Sequence, residues 1–177
     1  MQYGLILGSP RIADQIKTAQ RAEAAGFDSV WTIEFFNMHG LARLMAVAAA
    51  TERVKVGSAI AYAFMRTPML AASAAMDIDE VSNGRMVLGL GSGTERMNRE
   101  WYSMPFDDPP APRIKDAIGL IRAAFAAGKG GGLTYEGKYY QVKIPAYARP
   151  YMARPSIPVC LAAVNKGMIR AAAATAD

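Results

Sequence analysis

Apolar positions along this chain follow two alternating patterns. Residues 3–7, 29–33, 54–61, 86–91 and 158–164 are short runs that are apolar on both faces. That is the pattern of strands buried in a parallel sheet. Between them the apolar spacing is helical. Ser9 and Pro10 predict a cap and first turn for a helix that closes at Gly26. A second helix is predicted over residues 41–52, which are rich in Leu, Met and Ala. Thr67 and Pro68 mark the start of a third, which stops at Asn83-Gly84, where a left-handed residue suits Asn or Gly. A fourth fits residues 112–127 and ends at Gly128, and a fifth starts near Asn165 and runs to Asp177.

Strict β-α alternation predicts a parallel α/β fold. The first three repeats begin 25 to 32 residues apart, one βα unit each. The fourth interval is longer and holds Gly128, Gly130, Gly131 and Gly132, then Pro145, Pro150, Pro155 and Pro158. Within it Thr134-Tyr135 and residues 139–142, flanking Glu136-Gly137, predict a small hairpin inserted before the fifth strand. The expectation is a single domain over residues 1–177, with an insertion at about 128–156. Five units do not close a (β/α)8 barrel, which takes roughly 250 residues. The chain therefore reads as the N-terminal five-eighths of a TIM-type barrel, truncated after five βα units.

Composition narrows the classes. Hydrophobic residues make up 52% and charged residues 20%, which suits a globular domain with a core and excludes a disordered one. Cys160 is the lone cysteine, so no disulfide forms within the chain and a cytoplasmic location is expected. One His and one Cys cannot furnish a zinc set, so no metal is expected. No apolar run nears the ~20 residues that span a bilayer, so no membrane partner is expected. The net charge of +5 is uneven: residues 1–108 sum to −2 and residues 109–177 to +7. A basic half can serve nucleic acid or an anionic ligand, or be balanced by further chain. The absence of a dense Lys/Arg cluster with interleaved aromatics argues against nucleic acid.

Four stretches carry candidate chemistry. Gly89-Leu-Gly-Ser-Gly93 ends the fourth apolar run. Its glycines would let a planar ring or phosphate approach the backbone, or would simply form a tight turn. It lacks the third glycine of the dinucleotide fingerprint, and no helix is expected directly after it. Residues 56–68 place small residues at a strand end before an aromatic-bearing loop, a pattern for a cavity wall or for core Tyr62 and Phe64. In residues 31–39, Glu34 falls at the C-terminal end of the second strand, inside the barrel mouth, with His39 in the following loop. Finally, Asn165 and Lys166 open the fifth helix, either as a phosphate site or with Asn165 as an ordinary N-cap.

Five ordered segments together resemble the bacterial luciferase-like monooxygenase superfamily: residues 26–31 (GFDSVW), 49–57 (AATERVKVG), 66–68 (RTP), 79–93 (DEVSNGRMVLGLGSG) and 170–177. The resemblance covers the whole chain but only the first five barrel units. It implies a barrel that binds FMN or the deazaflavin coenzyme F420, and it leans to the F420-dependent branch through residues 34–37, 61–68 and 91–98. It implies a non-prolyl cis peptide at Ala59–Ile60, with Ala59, Ile60 and Ala61 supporting the ring, and Gly91, Ser92, Gly93 and Thr94 as close backbone neighbours. Glu34 matches the acidic position of the second strand. Phe35 stands where the glucose-6-phosphate dehydrogenase branch often has His. Glu95 and Asn98 resemble the family's acid and amide after the fourth strand, with spacing one residue longer. Ala162, Ala163 and Asn165 match the segment beside the cofactor's ribityl chain. Glu34 or Glu95 is then the candidate proton donor or acceptor, and Tyr62, Trp101 and His39 are candidates for contact with a small organic substrate. The function implied is hydride transfer between F420 and that substrate, with a homodimer expected for the full-length protein. The alternatives are an FMN-dependent monooxygenase and a non-catalytic barrel fragment.

Overall fold

The computed structural model describes residues Met1–Asp177. Its sheet is built from β1 (Gly4–Leu7), β2 (Ser29–Thr32), β3 (Lys55–Ser58), the two-residue β4 (Ala61–Tyr62), β5 (Met86–Gly91) and β8 (Val159–Leu161). The path runs β1–β2–β3–β5–β8, with β4 beside the upper half of β5, and every pairing is parallel. Helices α1 (Ile12–Ala24), α2 (Gly40–Ala49), α3 (Pro68–Val81), α4 (Pro110–Ala127) and α5 (Lys166–Thr175) follow the strands. Strands β6 (Leu133–Glu136) and β7 (Gln141–Ile144) form a separate antiparallel hairpin. This is the α/β architecture of a TIM-type barrel, with five βα units and the inserted hairpin where the pattern places them.

The core lies between the sheet and its helices. Val30, Val56, Leu88 and Leu90 are buried from the strands, and Leu44 and Val47 of α2 with Ala71, Ala72 and Ala75 of α3 are buried from the helices. Each large side chain so buried contributes about 1.5–3 kcal/mol, and the alanines let α3 approach closely. Thr67 caps α3 by accepting the amide of Leu70 at 3.2 Å, and Asn83 and Gly84 end it with φ of 52° and 82°, as the sequence suggests.

Three local expectations change. Ser9 does not cap α1. The Gln15 amide donates to the carbonyls of Leu7 and Ser9 and holds that segment out of the helix, so α1 starts at Ile12. The first run is not buried on both faces: in β1 only Leu7 is buried, because β2 alone flanks that strand. The run 54–61 is interrupted, and the interruption shapes the site.

Candidate functional site

From Gly57 to Ala61 the chain advances four residues while its partner advances three, from Val87 to Leu90. One extra residue is therefore inserted between β3 and β4, a bulge at the C-terminal end of the sheet. The Ala59–Ile60 peptide in it is cis. Ser58 pins the bulge to β5: its hydroxyl donates to the Gly89 carbonyl at 2.9 Å and accepts the Gly89 amide at 3.1 Å. The glycines of β5 serve this arrangement. A Cβ on Gly89 would overlap the Ser58 carbonyl, and one on Gly91 would overlap the Ile60 side chain. The space that the sequence reading gave to a ligand at these two glycines is thus filled by the protein's own atoms. A Cβ on Gly91 would also stand 3.5 Å from the Ala162 Cβ, so Ile60, Gly91 and Ala162 form one apolar floor across the bulge, β5 and the loop after β8.

Glu34 anchors the wall beside this floor. Its carboxylate accepts the amide of Tyr62 at 2.7 Å, the amide of Gly40 at 3.3 Å and a guanidinium N–H of Arg66. The two side chains are 4% and 13% exposed. Arg66 also donates to the Tyr62 carbonyl at 3.5 Å. Glu34 therefore joins the end of β2, the start of α2, β4 and the loop before α3. His39 caps α2, its Nδ1 accepting the Ala42 amide at 3.2 Å, and stands 3.9 Å from the Glu34 carboxylate. Tyr62 contributes backbone here. Its ring is buried edge-on to that of Tyr102, with centroids 5.9 Å apart. Burial pushes both phenols above their ordinary range, and the Glu34 carboxylate adds to the shift of each.

After β5 the chain forms a short helical turn with π geometry at Met97–Trp101, which the sequence reading missed. Asn98 shapes the loop before it. Its amide donates to the carbonyls of Ser92 and Thr94 at 2.9 and 2.8 Å, and Gly93 sits at φ 67°. The Asn98 Oδ1 and the Tyr102 hydroxyl are buried without partners. Glu95 does not join Glu34: it is exposed and paired with Arg99 at 3.0 Å. Trp101 packs edge-on against Phe35 and Phe36, with centroids 5.1 and 5.4 Å apart. Asn165 is an N-cap, accepting the Met168 amide at 3.0 Å. Ala162 and Ala163 follow β8, and the Ala162 amide donates to the Leu90 carbonyl at 2.9 Å. Arg66 was legible in principle, because a carboxylate at a buried strand end needs a counter-ion. Nothing in the sequence singles out Tyr102.

The chain belongs to the luciferase-like monooxygenase family, whose model matches residues 2–177. It is 34% identical over 167 residues to an F420-dependent glucose-6-phosphate dehydrogenase of Amycolatopsis mediterranei, covering 85% of this chain and 47% of that protein. It is 29% identical over 161 residues to a 5,10-methylenetetrahydromethanopterin reductase of Archaeoglobus fulgidus, covering 88% and 45%. Its fold matches a coenzyme F420-dependent tetrahydromethanopterin reductase from Methanopyrus kandleri with a TM-score of 0.87 at 24% identity, over 99% of this chain and 54% of that one. The chain spans about half the length of the curated relatives it matches.

The residues present fit a flat aromatic cofactor. The floor of Ile60, Gly91 and Ala162 carries no charge, and the small residues Ser92, Gly93 and Thr94 follow directly from the end of β5.

Proposed function

We propose that this chain supplies the ring-binding side of an oxidoreductase that moves hydride between coenzyme F420 and a small organic substrate. The observation that carries the reading is the apolar floor Ile60–Gly91–Ala162 at the C-terminal ends of neighbouring parallel strands, the edge where barrels of this type do their chemistry. Family membership and the F420-dependent relative support the choice of cofactor. When bound, F420 supplies the hydride chemistry, and the protein orients its ring.

The chain's own residues then divide the work. Ala59, Ile60 and Ala61 support the ring from the bulge, which Ser58 and Glu34 hold in place. Ser92, Gly93 and Thr94 offer close backbone, in a loop that Asn98 shapes, and Gly91 lies beneath the Ile60 side chain in the floor. Ala162, Ala163 and Asn165 line the passage beyond β8. Glu34 acts as a positioning residue, because all its hydrogen bonds go to the bulge, to α2 and to Arg66. His39 lies beside it on the cleft, as a candidate for contact with the substrate.

The test is a fluorescence titration of F420 with the 177-residue chain. A saturable change is expected, with Ala162→Glu weakening it by about ten-fold or more because a carboxylate would be buried against the ring. No saturable change contradicts the proposal. Tighter binding of FMN than of F420, with oxygen uptake by the reduced complex, moves the reading to an FMN-dependent monooxygenase.

A further inference from the structure

Beside the apolar floor, the loop between β2 and α2 and the loop before α3 enclose a cleft of about 460 Å³, lined by Glu34, residues 35–39, Met65, Arg66 and Tyr102. Its mouth is aromatic. Phe36 is 59% exposed and Phe35 is 37% exposed, although both are large apolar side chains. Their rings lie 4.6 Å apart, and Trp101 closes the group edge-on. Exposed apolar rings gathered in a concave place mark a binding surface, since water contact costs them free energy that a ligand restores.

The charge in the same cleft is committed. Arg66, the one Arg or Lys in its wall, is held by Glu34 and the Tyr62 carbonyl. His39 uses Nδ1 to accept the Ala42 amide, a bond that only an unprotonated nitrogen can accept. On this chain's wall of the cleft an anionic substrate group would meet the Glu34 carboxylate and a guanidinium already held by it, so its desolvation would be poorly compensated there. We infer that the cleft takes an uncharged, predominantly apolar substrate, such as an alicyclic or aromatic alcohol or ketone, with its hydrocarbon body against Phe35, Phe36 and Trp101. This rests on the oxidoreductase reading above and sets the chain apart from its sugar-phosphate-oxidising relative, whose substrate carries a phosphate.

A matched pair of probes tests the inference: cyclohexylmethanol and cyclohexanecarboxylate share a skeleton and differ in charge. The Trp31→Phe variant leaves Trp101 as the sole tryptophan, so its emission reports the cleft. Cyclohexylmethanol is expected to shift that emission saturably and to bind about ten-fold or more tighter than the carboxylate. Phe36→Ala is expected to weaken the alcohol by roughly five-fold, and Phe36→Lys to reverse the preference by supplying the missing cation. Because Phe36 is exposed, neither change disturbs the core. Equal or tighter binding of the carboxylate or of glucose 6-phosphate overturns the inference, as does no saturable shift with the alcohol. F420 fluorescence is followed in the same samples. Alcohol selectivity without F420 binding sinks the oxidoreductase reading alone, and F420 binding without alcohol selectivity sinks this inference alone.

Discussion

At Glu34 a single side chain ties the stretch from β2 to α2 to the stretch from β4 to the loop before α3, 28 to 32 residues away, through two backbone amides and Arg66. Its position was legible: a carboxylate closing an apolar strand in a βα repeat needs buried partners, and here they are the bulge, α2 and Arg66. Its partners were less so, because pairing across a bulge depends on register that periodicity does not encode. The glycines of residues 89–93 teach the converse. They read as room for a ligand, yet at Gly89 and Gly91 the room is used by Ser58 and Ile60. Removing one partner of a buried ion pair leaves the other uncompensated, at a cost of about 3–5 kcal/mol. Glu34→Ala is therefore expected to lower the urea unfolding free energy by about 3 kcal/mol, and Glu34→Ala with Arg66→Met to recover only the part owed to the unpaired guanidinium, since the amides of Tyr62 and Gly40 stay without an acceptor. A single variant within about 0.5 kcal/mol of the parent would contradict the clamp.

The inserted hairpin was legible from Glu136-Gly137 and its apolar flanks. Its docking was not, since that rests on tertiary contacts with α4, Asp116 foremost, that periodicity does not encode. Asp116 accepts the Tyr135 hydroxyl at 2.7 Å and the backbone amides of Tyr139 and Tyr140. Gly119, one turn on, leaves space that a Cβ would take from the Tyr135 hydroxyl. The turn at Met97–Trp101 escaped notice because it is too short to show a period and is fixed by the buried amide of Asn98. Burial, then the Asp116 carboxylate, pushes the Tyr135 phenol up to about 12 from an ordinary 10.0. The folded chain thus holds this proton more tightly than the unfolded chain. The contribution is complete below pH 10.0 and is lost as pH rises toward about 12. Urea midpoints measured at intervals across that window should fall more steeply for the parent than for Tyr135→Phe. Equal slopes would show that the Asp116–Tyr135 contact does not hold the hairpin.

Over the whole molecule the βα repeat was the most legible feature, because strand and helix differ in period and α2, α3 and α5 carry their own caps. The charge asymmetry also finds a partial explanation. Cations of the basic second half reach back to acids of α3, Arg149 to Asp77 and Glu80, and Arg154 to the buried Asp79. The basic half thus fastens the chain around the base of the sheet. At the opposite end the bulge, the Ser92–Thr94 loop and the start after β8 come together from three units, an assembly that depends on tertiary register. The family resemblance supplied it where periodicity did not. We propose that this assembly receives the F420 ring. Amide chemical-shift mapping of the 177-residue chain during an F420 titration tests it most directly. Saturable shifts are expected at Ile60, Gly91, Ser92, Gly93, Ala162 and Ala163, with the hairpin amides of residues 133–144 unmoved. Shifts confined to other surfaces, or none at saturating F420, would contradict it.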